Sequence, residues 1–269
     1  MRSVKSAVAG VAVIGMLLTG CGAENGVEDP GEAKESGPAL PTGGPYIQGE
    51  LTSCFLPETD VGVEPMQVSG AELDLPAIRF SPPGGREPSA VLVMLHQTDG
   101  DRCGWGDFAT LAALEGVAGL SFDQCGYGAA DCGIKDLDDP VPQVRAALGE
   151  VRKQWPDTPV VLVGASMGGS QTVRAVAAGL DVDGWVDLSG PSIWAGVDLA
   201  TVADKIQTPG MIAISEDSDG PEEADAARAL AEATSSEFVP AELGHGWDLV
   251  VEEGRLSPIG QQVVAYATR

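Results

Sequence analysis

The stretch Pro159-Val160-Val161-Leu162-Val163-Gly164-Ala165-Ser166-Met167-Gly168-Gly169 decides how this chain is read. Its first half is short, apolar and rich in β-branched residues, as expected of a strand buried on both faces. Gly164 to Gly168 then fits G-x-S-x-G, and an amphipathic helical stretch from Met167 to about Ala178 begins at once. Alone, the motif describes any glycine-rich turn with a surface serine. Between a buried strand and a helix, it predicts a strained turn that raises the Ser166 hydroxyl above the carboxyl edge of a sheet. The small residues Gly164, Gly168 and Gly169 let strand and helix approach closely there. The Met167 N–H and the positive end of the helix dipole would face a negative charge developing on a substrate.

On either side of this stretch, apolar runs alternate with helical periodicity. Glu72–Phe80 reads as a strand closed by the turn signal Pro82-Pro83-Gly84-Gly85. Val91–His96, Val117–Phe122, Trp185–Leu188, Met211–Ile214 and Phe238–Val239 are further strands. Helices are expected over Trp105–Glu115, from Pro140 with Asp139 as cap, over Glu222–Ala233, and over Pro258–Ala267. Strands alternating with helices imply an α/β fold with a doubly wound, mostly parallel sheet.

The chain has 269 residues, with 40 Asp+Glu against 15 Lys+Arg and a net charge of −25. Such an excess repels phosphate backbones and anionic headgroups, which argues against nucleic-acid binding and against a polybasic membrane surface. A hydrophobic content of 43% excludes wholesale disorder. Arg2 and Lys5 precede the short apolar run Ala7–Leu18, and Leu18-Thr19-Gly20-Cys21 follows. The run is too short to span a bilayer comfortably, and its flanks fit an export signal. Leu18-Thr19-Gly20-Cys21 also resembles the lipobox of bacterial lipoproteins, in which the cysteine becomes the acylated first residue. The expected organisation is therefore a signal peptide over 1–20, lipidated Cys21 with a flexible acidic Gly/Pro linker over 21–45, and a catalytic-type domain over 46–269. Loss of residues 1–20 removes Arg2 and Lys5 but no acid, leaving −27. The lipid would hold the chain at the cell membrane on its extracytoplasmic side. Cys54, Cys103, Cys125 and Cys132 remain, an even number that favours disulfides in an exported chain, with three pairings open. No metal is expected, since there is no CxxC pair. The pairs Asp99/Asp101 and Asp217/Asp219 lack the spacing of a calcium loop and read as solvated acids.

A serine hydroxyl needs a base to remove its proton, and only His96 and His245 are present. His96 precedes the serine at the end of a strand. His245 lies in a loop after the last strand, which suits the chain order Ser, acid, His. The orienting acid should follow Met211–Ile214, where Glu216, Asp217 and Asp219 stand. Asp217 is preferred, with Asp219 the alternative and Glu216 third; Asp187 falls inside a strand and is less favoured.

The stretches Met94–Trp105, Phe122–Gly128, Val160–Gly169, Leu188–Pro191, Ile214–Pro221 and Gly244–Trp247 together resemble the α/β-hydrolase superfamily, in its dienelactone-hydrolase-like and bacterial esterase branch. The resemblance implies a cofactor-free serine hydrolase that cleaves esters through Ser166, His245 and Asp217. It implies oxyanion donors at Met167 N–H and Thr98 N–H, with Gln97 the alternative to Thr98. Many such proteins insert a helical cap after the strand that ends at Leu188. The short connection here predicts little or no cap, an open site, and substrate contacts from Trp105, Trp194 and Trp247. Small or polymer-borne esters are the expected substrates, and a monomer is assumed. The same triad would also serve a peptidase or an acyltransferase, and the same scaffold a non-catalytic, lipid-anchored binding protein.

Overall fold

Runs of apolar residues with no polar interruption fold as central strands, because both of their faces must be covered. Ala90–Leu95 (β3), Val117–Phe122 (β4) and Val160–Ala165 (β6) are buried at every position in the computed structural model. The structure describes residues 37–41, 46–47, 50–135 and 137–269. The expected signal peptide, Cys21 and most of the 21–45 linker lie outside the described residues. The compact unit that they adjoin in sequence starts at Gly37, earlier than the expected boundary at 46. Leu40 N donates to Gly254 O at 2.8 Å, and Ala39 pairs with Arg255.

Gly62–Gly70 (β1) and Leu73–Ser81 (β2) form an antiparallel ribbon at one edge of the sheet. Gly184–Leu188 (β7), Gly210–Ser215 (β10) and Glu237–Ala241 (β11) complete the other side. Among the described residues the sheet has nine strands in the order β1-β2-β4-β3-β6-β7-β10-β11, with the short Asp131–Cys132 (β5) beside β2. From β4 to β11 every pairing is parallel. The expected doubly wound, mostly parallel sheet is therefore present.

Alternate residues of each strand feed two cores. Val91, Val93, Val160 and Leu162 face one cluster with Pro140–Gln154 (α2), Met167–Ala177 (α3) and Pro221–Thr234 (α5). Leu92, Met94, Val161 and Val163 face the other, with Gly106–Leu114 (α1) and Pro258–Ala267 (α6). Asp139 caps α2 as expected, accepting from Val141 N at 3.0 Å with Pro140 in the first turn. Between β7 and β10 the chain forms only the hairpin Ile193–Trp194 (β8) with Val197–Asp198 (β9) and two 3-10 turns. Disulfides join Cys54 to Cys103 and Cys125 to Cys132. The first ties the segment before β1 to the loop after β3; the second closes the loop after β4.

Strand β6 and helix α3 meet where no side chain fits. A Cβ on Gly164 would lie 2.0 Å from Gly168 O, and one on Gly168 would lie 2.2 Å from Leu95 O. Both neighbours are backbone atoms in buried elements, so neither can swing aside. Gly168→Ala should therefore lower stability by about 3 kcal/mol, the upper range for overpacking. A shift in the urea midpoint at unchanged slope would register this, and an unshifted midpoint would show that the contact relaxes.

Candidate active site

Ser166 follows β6 directly and stands at the N-cap of α3 with φ 50° and ψ −118°, a region sparsely populated by residues with a side chain. Its amide donates to Leu188 O at 2.8 Å, and its carbonyl accepts from Gly169 N at 2.8 Å and Ser170 N at 3.2 Å. The turn is thereby clamped from the neighbouring strand and from the helix that it begins. The amides of Met167 and Gly168 open that helix and have no partner within it. The expected strained turn is present.

His245 lies after β11, its side chain 42% exposed. Its Nδ1 is hydrogen-bonded to Asp219 Oδ1. Asp219 is only 8% exposed, and its other oxygen accepts from Ser189 Oγ at 2.9 Å and Ser215 N at 3.3 Å. A carboxylate held by two further donors cannot rotate away from the imidazole. The one-turn helix Glu216–Asp219 (α4) supports the histidine loop as well. Ser218 Oγ accepts from Gly244 N at 3.0 Å, and Ser215 Oγ donates to Glu242 O at 3.2 Å.

The loop after β3 closes the same end of the sheet. His96 is buried; its Nε2 accepts from Gln124 N at 3.0 Å, so Nδ1 carries the proton and donates to Gln97 O at 2.8 Å. Burial lowers the pKa of this ring, which keeps it neutral. Gly100 N also donates to Gln97 O, at 3.1 Å. Because a trans peptide sets C=O and N–H on opposite sides, the Gln97 carbonyl fixes the direction of the Thr98 N–H. The loop abuts α3 directly, since a Cβ on Gly168 would lie 2.9 Å from His96 O. Trp247, two residues beyond His245, fills a slot that side chains at Gly100 or Gly104 would close, with Cβ positions 2.1 and 2.3 Å from its ring.

A family model described as serine aminopeptidase, S33 (Hydrolase_4), matches residues 86–218. Solved structures share the fold. An esterase of Pyrococcus furiosus aligns with TM-score 0.59 at 12% identity, covering 78% of this chain and 91% of its own. An alpha-beta serine hydrolase homologue from Coxiella burnetii aligns with TM-score 0.59 at 19% identity, over 76% and 96%. Est1E from Butyrivibrio proteoclasticus gives TM-score 0.55 at 15% identity, over 76% and 96%. The chain has the α/β-hydrolase fold, and a serine-hydrolase family model matches just under half of it. Among curated proteins none matches it by sequence. The family match together with this fold makes the α/β-hydrolase an enzyme of the serine-hydrolase type.

Two expectations for this hydrolase need correction. The acid that meets His245 is Asp219, the alternative, and Asp217 lines a separate cavity with Glu216, Arg228, Phe238 and Pro240. The reason is geometric. Residues 216–219 form a helical turn, so positions two apart point about 200° apart. Trp105 is fully buried and packs edge-on to Trp247, with centroids 6.2 Å apart, so it belongs to the core and offers no substrate contact. Trp194 sits in the β8–β9 hairpin with its Nε1 buried, and Trp247 is half-buried in its slot. Asp99 and Asp101 are engaged locally: Asp99 accepts from Gln97 Nε2 at 2.8 Å, and Asp101 caps the turn that begins at Arg102.

The Asp219 hydrogen bond raises the His245 pKa above its ordinary 6.5, against partial burial, and Asp248 and Asp99 add to the rise. A base must be neutral to accept a proton, so kcat/KM should climb with pH on a limb centred above 6.5. Asp219→Asn should move that limb to lower pH and reduce kcat by about 10³- to 10⁴-fold, the scale seen when an orienting acid is lost. Asp217→Asn should leave both within about threefold, as for a residue outside the reacting unit. Steady-state profiles of the two variants separate these carboxylates; the reverse pattern would return the role to Asp217.

Proposed function

We propose that this protein is a lipid-anchored, extracytoplasmic carboxylesterase that works through Ser166, His245 and Asp219. The observation that carries the reading is the His245–Asp219 pair, held by Ser189 and Ser215, at the same sheet edge as the strained Ser166 turn. Ser166 Oγ attacks an ester carbonyl while His245 Nε2 takes its proton, and Asp219 fixes the tautomer and stabilises the imidazolium. The carbonyl oxygen becomes an oxyanion, received by the Met167 and Thr98 N–H groups. Collapse breaks the acyl–oxygen bond, and His245 passes its proton to the departing alcohol. Water then attacks the acyl-enzyme with His245 as base, releasing acid and free serine.

The short connection between β7 and β10 supports an open site for small or polymer-borne esters. Asp99 and Asp248 close to His245 disfavour anionic substrates. Est1E, with which the fold is shared, has been solved with ferulic acid bound, which makes aromatic acyl esters worth testing. The lipobox-like Leu18-Thr19-Gly20-Cys21 supports the anchor.

The family description favours a second reading, an aminopeptidase with the same triad. Its substrate amine would be drawn to the same acidic surroundings. A panel of p-nitrophenyl esters and aminoacyl p-nitroanilides, run with wild type and Ser166→Ala, tests both. Ester hydrolysis should dominate, and Ser166→Ala should lower it by about 10⁴-fold or more. Anilide turnover exceeding ester turnover would favour the peptidase, and Ser166→Ala at wild-type rate would remove the triad altogether.

A further inference from the structure

The turn Leu188-Ser189-Gly190 touches two members of the triad at once. Leu188 O accepts the Ser166 amide at 2.8 Å, and Ser189 Oγ donates to Asp219 at 2.9 Å. The turn is not relaxed, because Ser189 has φ +56°, in the left-handed region. Ser189 N donates to Ala213 O on the neighbouring strand at 2.8 Å, and Asp187 Oδ1 closes the turn from inside by accepting from Gly190 N at 2.7 Å. The Asp187 side chain is 1% exposed and fills the space between the turn and the start of α3. A Cβ on Gly169 would lie 2.1 Å from Asp187 Oδ1, and a Cβ on Gly190 would lie 2.3 Å from the same atom.

We propose that Asp187 is a positioning residue for the triad: its carboxyl, sealed between α3 and the 188–190 turn, sets the turn that holds the Ser166 amide and aims Ser189 at Asp219. This rests on the triad reading above. The carboxyl touches neither substrate nor His245, so it acts through Leu188 and Ser189. The groups facing it suit a protonated acid. Gly190 N–H comes from its own loop, while Asp219 of α4 and Glu223 of α5 bring negative charge. Burial, first, and these two carboxylates push its pKa up to about 7, opposed by the Gly190 hydrogen bond. At pH 6 it therefore carries its proton, and asparagine copies its shape and charge.

The test pairs Asp187→Ala with Asp187→Asn, using ester turnover at pH 6 and an NMR pH titration of the His245 ring. His245 and the buried His96 are the chain's two histidines, so two ring signals need assigning. Asp187→Ala should lower kcat by about 100-fold with KM within about twofold, the scale of a small misplacement of reacting groups. Its His245 pKa should fall toward 6.5 as the bond to Asp219 weakens. Asp187→Asn should restore kcat at pH 6 and hold the His245 pKa well above that of Asp187→Ala. A general loss of stability would leave the His245 titration of the folded protein unmoved.

Asp187→Ala matching wild type in both readouts overturns the proposal, as does Asp187→Asn failing as badly as Asp187→Ala. Should Asp187→Ala not fold, Gly190→Ala, whose Cβ displaces the carboxyl, is expected to give the same fall in the His245 pKa, and an unchanged pKa there overturns the proposal. The titration needs no substrate, so a wild type inactive on esters removes the esterase reading while the NMR result still decides the role of Asp187.

Discussion

The left-handed backbone of Ser166 is the constraint on which the rest of this structure depends. A serine at φ 50° and ψ −118° is strained by about 1–3 kcal/mol and persists only where its surroundings over-determine it. Here those surroundings are backbone. Leu188 O takes its amide, Gly169 N and Ser170 N take its carbonyl, and α3 packs on β6 and β3 through Gly164 and Gly168. The close approaches of α3 to β6 and β3 require the absence of a side chain at Gly164 and Gly168, so the geometry rests on glycine at those positions. In return, Ser166 stands at the start of a helix, where amides without helical partners and the helix dipole meet.

Around that turn the reactive groups come from separate strands and are joined by short polar links. The acid follows β10, the base follows β11, and Ser189 follows β7; Ser215 and Ser218 tie the acid turn to the histidine loop. The loop after β3 is fixed by the neutral His96 and by the Cys54–Cys103 disulfide, and Trp247 locks the histidine loop into it. These links matter in a chain of net charge −25, where many carboxylates surround the site. A single hydrogen-bonded carboxylate orients the imidazole, while the more distant Asp99 and Asp248 act on it only through their charge.

Much of this was legible in the sequence, because the decisive signals are local. Continuous apolar runs marked β3, β4 and β6, and the strand–turn–helix context around Ser166 carried the fold. Strand β1 was not legible: only Val68 in it is buried, and its Pro65 and terminal glycines read as turn, as an edge strand permits. The preference for Asp217 treated residues 216–219 as a loop; the helical turn that instead brings Asp219 to His245 depends on Ser215 capping Ser218, a tertiary detail of the β10 end. Asp187 looked like an ordinary strand residue, yet β7 ends one position later and its carboxyl reaches the turn beyond. The tryptophans carried no signal of depth, and four cysteines allow three pairings until the fold brings Cys54 beside Cys103.

Ser166, His245 and Asp219 are read here as one reacting unit, and a crystal structure of the protein after reaction with a fluorophosphonate tests this most directly. One adduct is expected, on Ser166 Oγ, with the phosphoryl oxygen within hydrogen-bond reach of Met167 N and His245 still bonded to Asp219. An adduct on another residue, or His245 turned from Asp219 toward a different acid, would contradict it.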